Sequence, residues 1–116
     1  MSDNQGIKTY LCPVSDLAAA KPVYSALLGA EPSADSEYYV GYDVAGQHIG
    51  LVPGGGPQGL TGPVAHWHVT DIEATLAALT AAGAVVKEPV HTVGPGRVVA
   101  SVTDADGNVL GLLEDR

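Results

Sequence analysis

Apolar residues recur along the chain in a pattern that predicts short strands and amphipathic helices in alternation. Apolar runs at 9–14 and 64–69 predict two β-strands, and each run is followed by apolar residues at helical spacing. The second helix is well marked, since Thr70 and Glu73 match the S/T-x-x-E capping box and Gly83 suits its C-terminal end. Three further strand-like stretches follow each helix. The predicted order is therefore βαβββ, repeated twice.

The strands that follow each helix are predicted from alternation and from the glycine-containing turns between them. In the second half of the chain they are the stretches 84–90, 97–103 and 108–114. In the first half the stretches 38–44 and 48–53 are clear, and a shorter polar stretch precedes them. Each half is therefore expected to provide three strands after its helix.

The two halves also resemble each other in sequence. VSDL at 14–17 recurs as VTDI at 69–72, and DVAGQHIGL at 43–51 recurs as DADGNVLGL at 104–112. The copies keep the same order along the chain, which chance matches rarely do. This order predicts two homologous modules.

The domain organisation follows from the repeat and from a glycine- and proline-rich stretch between its copies. We expect a single domain over 1–116, with module one at about 7–53, a linker at 53–63 and module two at about 64–115. The linker, PGGGPQGLTGP, holds five Gly and three Pro in eleven residues. Such a composition connects elements and contributes little to a core.

The composition fits a folded chain with a strongly acidic balance. Hydrophobic residues make up 46% of the sequence, enough for a real core, and charged residues make up 16%. The formal net charge is −8, and the five Lys and Arg residues are scattered. Nucleic-acid binding is therefore not expected, because no basic patch is available to neutralise phosphates. The acidic field mildly favours a cationic small molecule as partner.

The single cysteine and the hydropathy of the chain indicate its compartment. Cys12 has no second cysteine to pair with, so no intrachain disulfide is expected and a reducing compartment is indicated. The first ten residues lack the apolar stretch of a signal peptide, and no apolar run is long enough to span a membrane. We expect a cytoplasmic protein with no membrane partner.

Several of these motifs together resemble one known superfamily. The paired βαβββ modules, the strand-to-helix turns PVSDL and HVTDI, the AAGA helix end and the DADGN hairpin look like the vicinal oxygen chelate superfamily. Glyoxalases, extradiol dioxygenases and bleomycin-resistance proteins belong to that group. The resemblance runs from about Lys8 to Asp115 and implies an α+β fold. In that fold two βαβββ modules form curved mixed sheets around a concave cavity, with the helices outside, and members are commonly homodimers.

The resemblance also implies where a metal would bind. Members that use a metal take His, Gln or Glu ligands from the first and last strands of each module. In this chain the matching positions are Thr9, Gly50, Val64 and Gly111. None of these residues offers the imidazole or carboxylate that a divalent cation prefers, so we expect no metal and no other cofactor. Glu114 lies three residues beyond Gly111 and is expected on the opposite face of the strand.

Alternation along the strands then assigns residues to the expected cavity. His66 and His68 share a face with position 64, while Trp67 and Val69 point into the helix-packed layer. His48 shares a face with Gly50 in the same way. The residues expected to line a ligand cavity are Thr9, His48, Gly50, His66, His68 and Gly111.

Three uses of these histidines stay open. They can form a displaced metal site, since H-x-H in a strand can chelate, although strand pairing is expected to put His48 near residue 7 and away from the other two. One of them can act as a general acid or base, although no carboxylate partner is evident on the same face. They can also be polar walls that hydrogen-bond a ligand or water, which is the favoured interpretation.

The only aromatic cluster is formed by Tyr38, Tyr39 and Tyr42. On a strand, Tyr38 and Tyr42 would share one face and Tyr39 the other. Whichever set faces the cavity can stack on a planar ligand. The sequence leaves open which set that is.

These observations favour a non-catalytic protein that binds or sequesters a small organic molecule, similar to the antibiotic-resistance branch of the superfamily. The alternative is a lyase or isomerase of the glyoxalase type, which would need an unconventional metal site or histidine acid–base catalysis. A third possibility is an interaction module that has lost its small-molecule function. Fold alone does not decide among them, because one fold hosts several chemistries.

Overall fold

The structure is a computed structural model of the chain, and it describes residues 4–56 and 59–116. Pro57 and Gln58 of the expected linker therefore lie outside the described residues. The elements are β1 (Asn4–Val14), α1 (Leu17–Leu28), β2 (Ala34–Asp35), β3 (Val40–Val44), β4 (Gln47–Pro53), β5 (Val64–Val69), α2 (Ile72–Ala81), β6 (Val85–Gly94), β7 (Arg97–Thr103) and β8 (Val109–Asp115). This is the βαβββ order twice, so the predicted α+β class is confirmed.

Contacts divide the chain into two compact units. The first unit is Thr9–Val64, and the second unit is Ala65–Arg116 together with residues 4–8. Each unit contains one helix, and neither helix is long and apolar enough to cross a membrane.

The strands of the first unit lie in the order β2-β3-β4-β1. β1 pairs with β4 in parallel, and β4 pairs with β3 in an antiparallel hairpin. The two residues of the hairpin turn, Ala45 and Gly46, both have positive φ, at 54° and 77°. Two-residue turns of this kind match the twist of the flanking strands. The turn fixes the register of β3 and β4, and so decides which side chains meet across the hairpin.

The core of the first unit lies between these strands and α1. Val40, Tyr42 and Leu51 are fully buried there, and Cys12 and Tyr24 pack at the margin of this cluster. The Tyr42 hydroxyl lies 2.8 Å from Ser25 Oγ and donates to the carbonyl of Lys21 at 3.0 Å, so its polar end is satisfied inside the core. Tyr42 therefore faces the helix, which answers the sequence question for this tyrosine.

The strands of the second unit lie in the order β5-β8-β7-β6. β5 pairs with β8 in parallel, while β7 pairs with both β8 and β6 in antiparallel fashion. The predicted DADGN hairpin is confirmed: Asp104 Oδ1 accepts from the backbone N–H of Asp106 at 3.0 Å and from that of Asn108 at 2.9 Å. Gly107 adopts the left-handed conformation that this turn needs, with φ of 83°.

Helix α2 begins one residue later than the capping box predicts. Its N-cap is Asp71, whose Oδ1 accepts from the N–H of Ala74 at 3.1 Å. Thr70 therefore precedes the cap, and Glu73 binds the guanidinium of Arg116 instead of reaching back to the cap. The prediction of a Thr70 cap was wrong because the neighbouring carboxylate has the extended backbone and the reach to take that place.

The core of the second unit lies between its sheet and α2. Its buried members are Val69, Ile72, Val98, Ala100 and Leu112. The indole of Trp67 packs against them, so the prediction that Trp67 and Val69 point into the helix-packed layer is confirmed. The side chains that alternate with them along β5, His66 and His68, therefore point to the opposite face.

Candidate functional site

The face of the first unit opposite α1 carries three of the predicted lining residues. Ile49 and Leu51 pack toward α1, so the alternate residues of β4, His48 and Gly50, point the other way. Thr9 of β1 lies beside His48, as its partner in the parallel register, and is only 4% exposed. The expectation that His48 lies near residue 7 was therefore wrong by two residues, a small slip that keeps the same face.

A chain of hydrogen bonds runs across this face. His48 Nδ1 lies 2.9 Å from Asp43 Oδ1, and its Nε2 is hydrogen-bonded to the hydroxyl of Tyr39. Ser33 Oγ donates to the second carboxylate oxygen of Asp43 at 2.6 Å. We call Ser33, Tyr39, Asp43 and His48 the polar cluster. In the order of the hydrogen bonds, it joins the Ser33 hydroxyl, the Asp43 carboxylate, the His48 imidazole and the Tyr39 phenol.

The carboxylate decides which ring nitrogen of His48 carries the proton. A carboxylate only accepts hydrogen bonds, so the neutral imidazole donates from Nδ1 to Asp43. Nε2 then has a free lone pair and accepts from the Tyr39 hydroxyl. The rings of Tyr39 and His48 are nearly parallel, at 12° with centroids 5.9 Å apart. The imidazole is therefore held at both nitrogens and along one flank.

The β3–β4 hairpin is what brings Asp43 and His48 together. The two residues are direct cross-strand partners, two pairs from the turn. Tyr39 lies just before β3 and is anchored by Ser36, whose Oγ accepts from its N–H at 3.1 Å. The expectation that no carboxylate partners a histidine on this face was wrong. The spacing D-V-A-G-Q-H contained the signal, because a two-residue turn at 45–46 places 43 opposite 48.

Two glycines provide the space in which the rings lie. Gly41 and Gly50 are partners across β3 and β4. A Cβ on Gly41 would lie 2.7 Å from His48 Cε1, and one on Gly50 would meet the Tyr39 hydroxyl and a methyl group of Leu11. Glycine at these positions therefore serves close packing of the polar cluster on the sheet.

The corresponding face of the second unit holds the other three predicted lining residues. The ring of buried His66 lies over Gly111, where an added Cβ would come within 2.6 Å of His66 Cδ2. Ser101 is the neighbour of Gly111 on β7, and its hydroxyl is buried without a hydrogen-bond partner among the described residues. His68 is half-buried. The pKa of nearby Asp115 is lowered, mainly by its hydrogen bond from Arg97 and to a smaller extent by His68.

An open groove also lies on the first unit, beside the start of α1. Its volume is about 550 Å³, and Lys21 and Asp35 form a salt bridge of 2.8 Å along it. The hydrogen bond that Lys21 donates to Asp35 raises the pKa of Lys21. The residues that line the groove include no member of the polar cluster and none of the six predicted lining residues, so the groove is separate from the cluster.

Comparison with known protein families identifies the chain. The sequence profile of the Glyoxalase/Bleomycin resistance protein/Dioxygenase superfamily matches residues 6–112. The chain belongs to this superfamily. The resemblance drawn from the repeated motifs is thereby confirmed. No curated protein matches the chain in sequence.

Solved structures share the fold of this superfamily member at low sequence identity. Hypothetical protein BH1468 from Bacillus halodurans C-125 has a TM-score of 0.79 and 14% identity, covering 97% of this chain and 95% of its own. Methylmalonyl-CoA epimerase from Mycobacterium tuberculosis has a TM-score of 0.74 and 18% identity, covering 100% and 91%. The Mn(II)-bound glyoxalase from Novosphingobium aromaticivorans has a TM-score of 0.74 and 19% identity, covering 99% of this chain but 40% of its own. At these identities the likeness shows the fold alone.

One acidic group in this superfamily member has the composition of a metal site. Among the described residues, it is the only group of three potential ligands whose donor atoms lie within 4.8 Å of one another, and it consists of Asp71, Glu73 and Glu114. Arg116 binds both Glu73 and Glu114, and Glu114 accepts from the N–H of Ile72 at 2.8 Å. That backbone hydrogen bond, followed by the one from Arg116, lowers the pKa of Glu114. The group therefore works as a cap and ion-pair network for α2, and it contains no histidine. Its position also confirms that Glu114 points to the helix side.

Proposed function

We propose that this superfamily member binds a small organic molecule on the polar cluster of the first unit, without a divalent metal at the family's ligand positions. The observation that carries the proposal is the hydrogen-bonded series of Tyr39, His48 and Asp43 over Gly50. A polar series of this kind provides orienting contacts for a ligand.

The residues at the expected metal positions do not fit a metal. Thr9 offers a hydroxyl, Val64 offers no donor, and Gly50 and Gly111 have no side chain. The space above each glycine is also filled, by Tyr39 and Leu11 over Gly50 and by His66 over Gly111. A carboxylate ligand at either glycine would have to displace a packed ring. We therefore derive no chemistry from a metal.

The polar cluster is accessible enough to meet a ligand. The side chain of His48 is 24% exposed and that of Asp43 is 66% exposed. Thr9 and His66, by contrast, are each 4% exposed and can contribute only as enclosed wall. Within the proposed ligand site, His48, Asp43 and Tyr39 are therefore the groups that contact the ligand, and Thr9 and Gly50 shape its floor.

A second candidate function is proton transfer of the lyase or isomerase kind. The Asp43–His48 hydrogen bond favours it, because a carboxylate that holds one imidazole nitrogen leaves the other as a base. Several fold relatives are described as epimerases or glyoxalases, which shows that the fold can support chemistry in those proteins. A cytoplasmic location and a homodimer remain predictions.

Two measurements on purified protein test the binding proposal. Elemental analysis is expected to find no stoichiometric divalent ion, and a fragment screen by thermal shift is expected to find stabilising ligands. Replacing His48 by Gln is expected to remove that stabilisation, while the control His91→Gln on β6 keeps it. A stoichiometric divalent ion that is lost in a His66→Ala, His68→Ala double variant would contradict the proposal. So would equal ligand stabilisation of the His48→Gln protein.

A further inference from the structure

Strand β6, at the edge of the second unit, departs from regular pairing with β7 around Pro89. Glu88 and His91 are three residues apart, but their partners on β7, Ser101 and Val99, are only two apart. This register shift is a β-bulge. It places Glu88 and His91 on one face, although residues three apart on a regular strand point in opposite directions. Proline has no N–H to donate and suits such a position on an edge strand.

The face that Glu88 and His91 share points away from α2. Ala100 of β7 and Val90 of β6 pack into the core beside α2, so the residues that follow them, Ser101 and His91, point the other way. Glu88 lies on the same face as its direct antiparallel partner Ser101. His91 Nε2 lies 4.0 Å from Glu88 Oε2. An imidazole and a carboxylate therefore meet on the outermost strand.

The hydrogen bond at its other ring nitrogen decides what His91 presents to Glu88. His91 Nδ1 lies 2.9 Å from the carbonyl oxygen of Pro89, and a carbonyl only accepts, so Nδ1 carries a proton. The neutral ring then has its lone pair on Nε2, facing a carboxylate oxygen that also carries lone pairs. At 4.0 Å these two acceptors are too far apart to share a hydrogen bond. Histidines that bind a metal are held in the same way, with the second ring nitrogen donating to a carbonyl or a carboxylate.

A buried hydroxyl group lies on the same face. Ser101 is 6% exposed, and its Oγ is buried with no hydrogen-bond partner among the residues that the structure describes. Buried hydroxyl groups normally have a partner, so this one indicates a polar species bound beside β7. Water coordinated to a cation between Glu88 and His91 would provide that partner.

We propose that His91 Nε2 and the Glu88 carboxylate bind Zn²⁺ or a similar divalent cation, with a coordinated water hydrogen-bonded to Ser101. Imidazole nitrogen and carboxylate oxygen bind zinc at about 2.0–2.2 Å. Two such ligand atoms of a tetrahedral site lie about 3.4 Å apart, so the pair has to close by about 0.6 Å. The side chains of His91 and Glu88 are 37% and 27% exposed, which leaves them room for that adjustment.

This cation site lies apart from the polar cluster and uses none of the four ligand positions that the superfamily implies. It has two protein ligands, where a structural zinc site has four. The cation therefore exchanges with the solution and is removed by dialysis. The purified protein is still expected to lack a stoichiometric divalent ion, and the site fills when the cation is added.

The test is a titration of the full chain with ZnCl₂, after dialysis against a chelator and then against buffer. Calorimetry is expected to show one Zn²⁺ bound per chain, and imidazole ¹⁵N NMR is expected to show that the His91 signals shift. His91→Gln and Glu88→Gln are each expected to weaken Zn²⁺ affinity at least about tenfold. Ser101→Ala is expected to weaken it by a smaller factor, because the serine contacts the cation only through water.

A matched control removes a carboxylate from the other group of potential ligands. Glu73→Gln changes the acidic group at α2 and is expected to keep the Zn²⁺ affinity of the wild-type protein. Equal Zn²⁺ affinity of the wild-type and His91→Gln proteins would overturn the site. So would His91 signals that stay unchanged at about 1 mM Zn²⁺. The NMR readout uses the wild-type protein, so it decides the question even if a variant folds poorly.

Discussion

The two units place a glycine at the same point of their last strand and cover it in different ways. In the first unit Gly50 lies under the Tyr39 hydroxyl and Leu11, next to a histidine that is hydrogen-bonded at both nitrogens. In the second unit Gly111 lies directly under the ring of His66, which is 4% exposed. One repeat thus holds an accessible polar cluster and the other a packed histidine. Matching sequence positions in the two modules therefore do not have matching roles.

This contrast predicts that removal of His66 mainly lowers stability and that removal of His48 mainly abolishes ligand binding. His66→Ala is expected to lower the free energy of unfolding by roughly 2–4 kcal/mol, because removal of the buried ring leaves a cavity above Gly111. His48→Ala is expected to cost about 1 kcal/mol, because the side chain is partly exposed, while ligand binding is lost. Urea unfolding and a ligand titration on both variants measure this. Equal stability losses would remove the distinction between the units.

The glycines give the next largest effect. Gly111→Ala is expected to cost about 2–3 kcal/mol and Gly50→Ala about 1–2 kcal/mol, because the ring over Gly111 is buried and the groups over Gly50 are the ends of flexible or half-buried side chains. Gly94→Ala is the control, since an added Cβ there meets no atom within 4 Å.

A double variant sharpens that prediction. In the His66→Ala background, Gly111→Ala is expected to cost much less, because the space above the glycine is then empty. Strict additivity of the two free-energy changes would show that the His66 ring is not what limits position 111.

The helix caps provide a smaller comparison between the units. Asp16 Oδ1 accepts from two N–H groups at the start of α1, and Asp71 Oδ1 accepts from one at the start of α2. Replacing either by Ala is expected to cost about 1 kcal/mol, with Asp16→Ala the larger effect. Thr70→Ala is expected to be neutral in thermal and urea unfolding. If Thr70→Ala lowered stability as much as Asp71→Ala, the capping box predicted from the sequence would be supported after all.

Lowering the pH is expected to produce the smallest difference in stability, mainly through carboxyl groups of the second unit. The pKa of Asp104 is lowered, chiefly by its hydrogen bonds with Asn108, and those of Glu114 and Asp115 are lowered as well. A carboxyl group with a lowered folded-state pKa stabilises the fold above its unfolded pKa, and this contribution is lost as the pH falls through the folded value. When unfolding midpoints are measured from pH 6 downward, they are therefore expected to decrease once the pH is below about 4. Asp104→Asn is expected to flatten that fall, and an unchanged slope would contradict it.

Much of this fold was predictable because its signals are local. The strand at 64–69 and the one at 97–103 were predicted with the bounds that the structure gives, since apolar alternation and glycine turns delimit them. The DADGN stretch predicted the hairpin between β7 and β8 for the same reason. The N-cap of α2 was missed by one residue, because Thr70 and Asp71 both suit a cap and only the backbone conformation decides between them.

The site was less predictable because it depends on contacts between side chains of different chain segments. The sequence indicated His48 and Gly50 from alternation alone. The contact of Tyr39 with His48 could not be predicted from the sequence, because Tyr39 precedes β3 and the direction of its side chain is set by the turn at Ser36. Burial separates His66 from His48, and no periodic pattern carries that information.

The most direct test of the difference between the units is to observe their histidine side chains while a ligand binds. Imidazole ¹⁵N–¹H NMR spectra of the wild-type protein, titrated with stabilising fragments from the thermal-shift screen, resolve His48 and His66 in one experiment. The signals of His48 are expected to shift with ligand concentration and those of His66 to stay nearly constant. Shifts confined to His66, with His48 unchanged, would contradict the assignment of the ligand site to the polar cluster of the first unit.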